Sequence, residues 1–133
     1  MPVDQSLVGR RFPPTRPYTV AEERVREFAA ATGGVYAGGG VPPTFVIVVA
    51  FDAMGAFLVA EAIELSRIVH GEQRFAHERP VVPGDVLTAT LEVASLRQIG
   101  GSDIIGTRSE IHDEGGALVC ATSATLVHTG GAA

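Results

Sequence analysis

The sequence predicts an α+β fold in which an antiparallel sheet wraps around one central apolar helix. The run from Val41 to Ala60 is apolar apart from a single charge, Asp52. After this run the hydrophobic period changes from helical to alternating, and strand-like segments follow, separated by turns that carry Gly or Asp. A helix that is apolar on most of its sides has to be covered, and a curved sheet can wrap around much of it.

Length and composition limit the class of protein. The chain has 133 residues, so residues 1–133 are treated as one domain, with a flexible tail from about 129 to 133. Hydrophobic residues make up 46% and charged residues 19%, which is a globular composition. The net charge of -5, without a long basic run, argues against nucleic-acid binding. A lone cysteine, Cys120, and the absence of a visible signal peptide predict a cytoplasmic location.

The apolar run also has to be tested as a membrane span. Pro42 and Pro43 shorten the usable helix to about 17 residues, at the short edge of what crosses a bilayer. Asp52 near its centre would cost about 2.5–3.5 kcal/mol on insertion scales. We therefore interpret the run as the buried helix of a protein that does not enter a membrane.

The first part of the chain predicts an extended segment, a short helix and a loop. Residues 8–18 are Pro-rich. Thr19, with Glu22 three residues later, has the pattern of a capping box, and Gly33 and Gly34 would end the helix that follows. The Gly-rich loop after it lacks the Lys-Ser/Thr of a phosphate loop. The central helix is predicted from Pro43 to Ala60, with Pro43 in its first turn.

Four strands are predicted in the second half, at 66–79, 86–99, 104–112 and 117–128. One small curved sheet cannot cover an all-apolar helix alone, and its edges also need protection. Pairing two such sheets edge to edge would solve both problems. We therefore predict a hotdog fold that works as a dimer.

The first of these strands is unusually polar. Regular alternation places His70 and Glu72 on one face and Gln73 on the other. Gly71 could instead mark a bulge, which would break this parity. A His–carboxylate pair can perform acid–base chemistry, but Glu72 and Gln73 could equally satisfy backbone groups, with His70 as a packed partner. His-x-Glu supplies only two metal ligands with no convincing third nearby, so no metal is expected.

Asp52 is the second unusual polar residue. It could be a general acid with a raised pKa inside a tunnel, or a hydrogen-bonded residue that faces a subunit interface or caps a loop. The remaining histidines, His77, His112 and His128, have the pattern of rim or surface residues.

Three blocks of the sequence resemble a known family. They read "VGRRFPPTRPYTVAEERVREFAAATG", "VPPTF" and "IVHGEQRFAHERPVVPGDVL". Together they resemble the N-terminal-type MaoC-like hotdog domain, the FAS1-like dehydratase family, which includes substrate-binding subunits of (3R)-hydroxyacyl-ACP dehydratases. The resemblance covers about Val8 to Val127.

The resemblance implies a division of labour between two hotdogs. One carries a G-D-x-N-P-x-H motif whose Asp and His act on the substrate, and the other binds the acyl chain. In this sequence Gly33 and Gly34 stand where Gly-Asp would begin, and Tyr36 stands where the His would fall. The loop is also about a dozen residues shorter than is common in the family. The catalytic residues therefore do not carry over, and His70, Glu72 and Asp52 remain only weak catalytic candidates.

The residues that the resemblance assigns to substrate binding lie in two blocks, together with the loop residue Tyr36. The first block opens the central helix at the mouth of the pocket, and the second lies on the polar strand near the partner's active site. They are Pro42, Pro43, Thr44 and Phe45, and His70, Gly71, Glu72 and Gln73.

Three functions follow as hypotheses. The chain is a subunit of a (3R)-3-hydroxyacyl-thioester dehydratase or enoyl hydratase, acting on acyl-ACP or acyl-CoA with a catalytic hotdog partner and no cofactor. Alternatively it is a stand-alone homodimeric hotdog enzyme, acting on an acyl thioester or a natural-product intermediate. The third alternative is an acyl-binding hotdog protein without catalytic activity.

Overall fold

A computed structural model describes residues 5–38 and 40–129 and confirms the predicted hotdog architecture. The two helices are α1 (Glu22–Ala31) and α2 (Ile47–Ala60). The strands are β1 (Tyr18–Thr19), β2 (Ile68–His77), β3 (Val86–Ile99), β4 (Ser102–His112) and β5 (Leu118–Thr129). They form one antiparallel sheet in the order β1-β3-β4-β5-β2.

The four predicted strands correspond to β2 to β5, with ends that differ by at most two residues. Tight turns join the last three strands, and the β3–β4 turn uses Gly100 and Gly101, which both have positive φ angles. Thr129 ends β5, whereas the rest of the predicted tail, 130–133, lies outside the described residues.

Helix α1 begins differently from the prediction. Its N-cap is Ala21, and no side chain caps it, so the predicted capping box of Thr19 and Glu22 does not form. Thr19 instead belongs to β1, where it pairs with Val86 of β3. The sheet register therefore overrides the local capping signal. The end of the helix is as predicted, because Gly33 follows it with a φ of +85°.

Helix α2 is the central helix, preceded by a 3-10 turn at Pro43–Val46. One face packs against β3 and β4 and buries Val49, Ala53 and Phe57. The sheet of a single chain leaves one side of the helix uncovered, as predicted, because Val59 is 81% exposed and Phe51 47% exposed. The segment Pro43–Ala60 is long and apolar enough to cross a membrane by length and composition, a test that the buried core helix of a soluble protein also passes.

The core lies between α2 and the inner face of the sheet. Alternate residues of β3 are buried as predicted, and Cys120 is fully buried on β5. Burial raises the pKa of the Cys120 thiol, which fits a packing role rather than a nucleophile. The largest fully buried side chains are Phe45, Phe57, Leu7, Leu87, Leu91, Ile105, Ile111 and Leu126.

The two edges of the sheet differ. Residues 9–15 run along β3, where the amides of Gly9, Phe12 and Thr15 donate hydrogen bonds of 2.7–2.9 Å to β3 carbonyls. The Pro-rich segment thus covers the β3 edge, which the sequence did not predict. At the opposite side β2 pairs only with β5 among the described residues, and its outer edge is open.

Candidate functional site

The polar strand β2 contains the bulge that Gly71 allowed. The pairing of β2 with β5 shifts register between His70 and Glu72, so these two residues do not share a face. A Cβ at Gly71 would lie 3.4 Å from the carbonyl oxygen of Thr125, so the backbone is close here. Regular alternation is therefore wrong for this strand, and the bulge alternative is confirmed.

The bulge brings His70 and Gln73 together on the inner face. His70 Nε2 lies 2.8 Å from Gln73 Oε1, which requires the proton to be on Nε2 when that oxygen is the acceptor. The ring of Phe51, on the flank of α2, lies 5.7 Å from the imidazole. These three side chains close the gap between α2 and the edge strand.

Glu72 points the other way. It is exposed and accepts a hydrogen bond of 2.9 Å from Arg74 Nη2. Exposed ion pairs of this kind contribute at most about 1 kcal/mol. His70 and Glu72 therefore do not form the acid–base pair that their spacing suggested.

A groove of about 360 Å³ lies where α2 begins. Pro42 and Pro43 form one wall together with Val41, and residues 77–81 form the other. His77 Nε2 donates a hydrogen bond of 2.9 Å to the carbonyl of Pro43 and so ties the two walls together. The walls of the groove are mainly apolar side chains, which suits an acyl or pantetheine segment.

The other residues of the first block are placed differently. Thr44 is exposed, whereas Phe45 is 1% exposed and packs edge-on against Phe28. Tyr36 is also buried among core residues. The structure thus places the two prolines at the groove but Tyr36 and Phe45 in the core.

The motif "RPVVPGD" forms an ion network beside this groove. Arg79 donates two hydrogen bonds to Asp85, of 2.9 and 3.2 Å, and one of 3.2 Å to Asp113. The hydrogen bond from Arg79 holds the pKa of Asp85 below its usual range. The pKa of Asp113 is also lowered, first by the amide of Ala117 and then by Arg79. The motif therefore fixes the ends of β2, β3 and β4 relative to one another.

Asp52 lies on the outer side of α2 and is exposed, not enclosed in a tunnel. It lines a second groove, of about 370 Å³, together with Pro14, Thr15 and Arg16 of the N-terminal segment. This position does not support the tunnel-acid alternative for the single chain.

Sequence reasoning missed two polar features. Thr107, Ser109 and Thr122 are buried on the inner face of the sheet, which we call the hydroxyl floor. Thr107 and Ser109 lie two and four residues after the buried Ile105, so they face the same side of β4, and this alternation could have revealed them. The expectation that His128 lies at the rim or surface is wrong, because it is 6% exposed and its Nδ1 is 3.1 Å from Asp103 Oδ2.

No group of three His, Cys, Asp or Glu side chains within residues 5–38 and 40–129 could hold a metal ion.

Comparisons with known proteins define the class. The sequence model described as FAS1-like, dehydratase domain region, matches residues 34–122. A UPF0336 protein of Streptomyces avermitilis is 41% identical, over 96% of this chain and 95% of the relative. The chain belongs to the FAS1-like dehydratase family. That alignment spans 143 positions against 133 residues here, so the relative has residues that this chain lacks.

Solved structures agree with this class. A chain of the C-terminally truncated HadBC (3R-hydroxyacyl-ACP dehydratase) complex of Mycobacterium tuberculosis has a TM-score of 0.76 and 28% identity, covering 91% of this chain and 96% of that chain. A MaoC-like dehydratase has a TM-score of 0.75 and 26% identity, and 96% of this chain matches 43% of it. The fold and family thus support a role of the hydratase or dehydratase type.

Proposed function

We propose that the chain is a subunit of a (3R)-3-hydroxyacyl-thioester dehydratase or enoyl hydratase, and that a partner hotdog supplies the catalytic Asp and His. The observation that carries the proposal is the separation of His70 from Glu72 by the bulge at Gly71, next to an open β2 edge. The chain presents a groove of substrate size at the start of α2, but at the bulge His70 and Glu72 form no acid–base pair.

The proposed subunit contact uses the β2 edge and the adjoining flank of α2. Unpaired backbone groups of an edge strand readily pair with another strand. Phe51, Leu65 and Val69 are exposed apolar residues on or beside this edge. Burying them against a second hotdog would stabilise the pair through the hydrophobic effect, and it would place His70 and Gln73 at the subunit junction.

The reaction requires two proton transfers. In dehydration a base removes the proton at C2, an acid protonates the hydroxyl on C3, and water leaves as the C2–C3 double bond forms. In the proposed complex both groups belong to the partner. The groove at Pro42 and Pro43 and the junction at His70 would hold the acyl thioester in place, which lowers the entropic cost of reaching the transition state.

The test is reconstitution. The chain is purified alone and, in a second preparation, together with a co-expressed hotdog protein of the same genome that carries G-D-x-N-P-x-H. Hydration of crotonyl-CoA by each preparation is measured as the loss of absorbance of the enoyl group. We expect turnover only for the co-expressed complex, and loss of turnover when the partner's motif Asp is changed to Asn. Robust turnover by this chain alone, abolished by His70→Ala, would contradict the proposal and support the stand-alone enzyme.

A further inference from the structure

A small cavity lies beneath the middle of α2, directly behind His70 and Gln73. Its volume is about 10 Å³, the room that one water molecule needs. Phe51 and Met54 of α2 line it from above. An acyl chain that reached this cavity from the β2 edge would meet these four side chains first.

The far wall of this cavity carries hydroxyl groups beside the apolar side chains of Leu91 and Ala124. All three residues of the hydroxyl floor line it, and Thr122 Oγ1 lies 3.5 Å from the carbonyl of Ser109. An alkyl chain pressed against this wall would offer its buried hydroxyls no hydrogen bond, so contact there is less favourable than contact with a fully apolar wall. The space between α2 and the sheet is therefore too small for a long acyl chain, and the hydroxyls make its wall less favourable for one.

We propose that the enzyme containing this subunit acts on short acyl groups, because Phe51, Met54 and the hydroxyl floor stop a longer chain at the β2 edge. This inference rests on the function proposed above and adds a substrate class to it. The room that the chain does offer is the groove at the start of α2, which is bounded by Pro42 and Pro43.

The experiment measures kcat/KM of the reconstituted complex for enoyl-CoA substrates of four, eight and twelve carbons. A methylene that a pocket cannot accept costs roughly 10-fold in kcat/KM. We expect the four-carbon substrate to be preferred over the twelve-carbon one by at least that factor. An equal or higher kcat/KM for twelve carbons would overturn the inference.

Two variants locate the restriction. Met54→Ala widens the cavity from above, and the pair Thr107→Val with Thr122→Val removes two of the three hydroxyls from its wall. Both changes together should raise the ratio of eight-carbon to four-carbon kcat/KM several-fold. Ile99→Ala, an exposed truncation beside the β3–β4 turn, is the matched control and should leave the ratio unchanged.

The two failures are distinguishable. If the complex shows no turnover with any substrate, the proposed function fails. If it turns over long chains well, or if the cavity variants leave the chain-length ratio at the control value, the assignment to short acyl groups fails and the proposed function stands.

Discussion

At the β3 edge of the sheet the chain covers itself with residues 9–15, whereas at the β2 edge no described segment lies alongside the strand. The covered edge also gains a ring contact, since Phe12 packs edge-on against Phe57 of α2 at 5.1 Å. The open edge instead carries the bulge, exposed apolar residues and His70. One edge is thus completed within the chain, and the other fits the proposed contact with a second hotdog.

Breaking the cover of the β3 edge should have the largest effect. Phe12→Ala removes the ring contact with Phe57, and because the side chain is only partly buried we expect a loss of about 2–3 kcal/mol in the free energy of unfolding. Urea denaturation checks this. Arg11→Ala, at an exposed neighbouring position, is the control. Equal stability of the two variants would show that the N-terminal segment does not hold this edge.

A charge at the open edge should instead weaken the complex and spare the fold. Phe51 is 47% exposed at the β2 side, and Val8 is 45% exposed at the β3 side, so Phe51→Glu and Val8→Glu form a matched pair. We expect Phe51→Glu to weaken partner binding by about 2 kcal/mol, or roughly 30-fold, and Val8→Glu to leave it unchanged. Titration calorimetry with the partner measures this. A similar loss for both variants would contradict docking at the β2 edge.

The Arg79 network joins the two edges at one end of the sheet, and it makes stability depend on pH. The folded-state pKa values of Asp85 and Asp113 are lowered, so their contribution is present above the unfolded pKa of about 3.9 and is lost as pH falls through the folded values. Arg79→Met should lower stability at pH 7 by about 1–2 kcal/mol and flatten the acid limb. Denaturation curves from pH 7 to pH 2 measure this. If the variant lost stability at acid pH as steeply as the unchanged protein, the result would contradict this role.

The smallest effect is expected at Glu72. Since its ion pair with Arg74 is exposed, Glu72→Gln should change the free energy of unfolding by less than about 0.5 kcal/mol. It should also leave kcat of the reconstituted complex within about two-fold, because the proposed acid and base both belong to the partner. Losing a general acid or base would instead typically cost at least 10²-fold. A large loss of kcat would restore Glu72 as a catalytic residue.

Local sequence patterns predicted the fold but only part of the site. Alternation in β3 and the Gly turns gave the strand positions, because burial on one face leaves a period of two. Pro42 and Pro43 line a groove, and their assignment to substrate binding stays a prediction. Tyr36 and Phe45 are in the core, since a residue's position in a motif does not say which way its side chain points. That choice depends on packing partners such as Phe28, which are distant along the chain.

The sequence by itself determined the helix, the strands, the family and the lack of the catalytic motif, because each is a property of residue types in order. Only the tertiary structure decided that Gly71 shifts the register, that His70 bonds Gln73 and not Glu72, and that His128 is buried beside Asp103. The physical reason is that pairing between strands and coverage of edges depend on segments far apart in the chain, which no local period encodes.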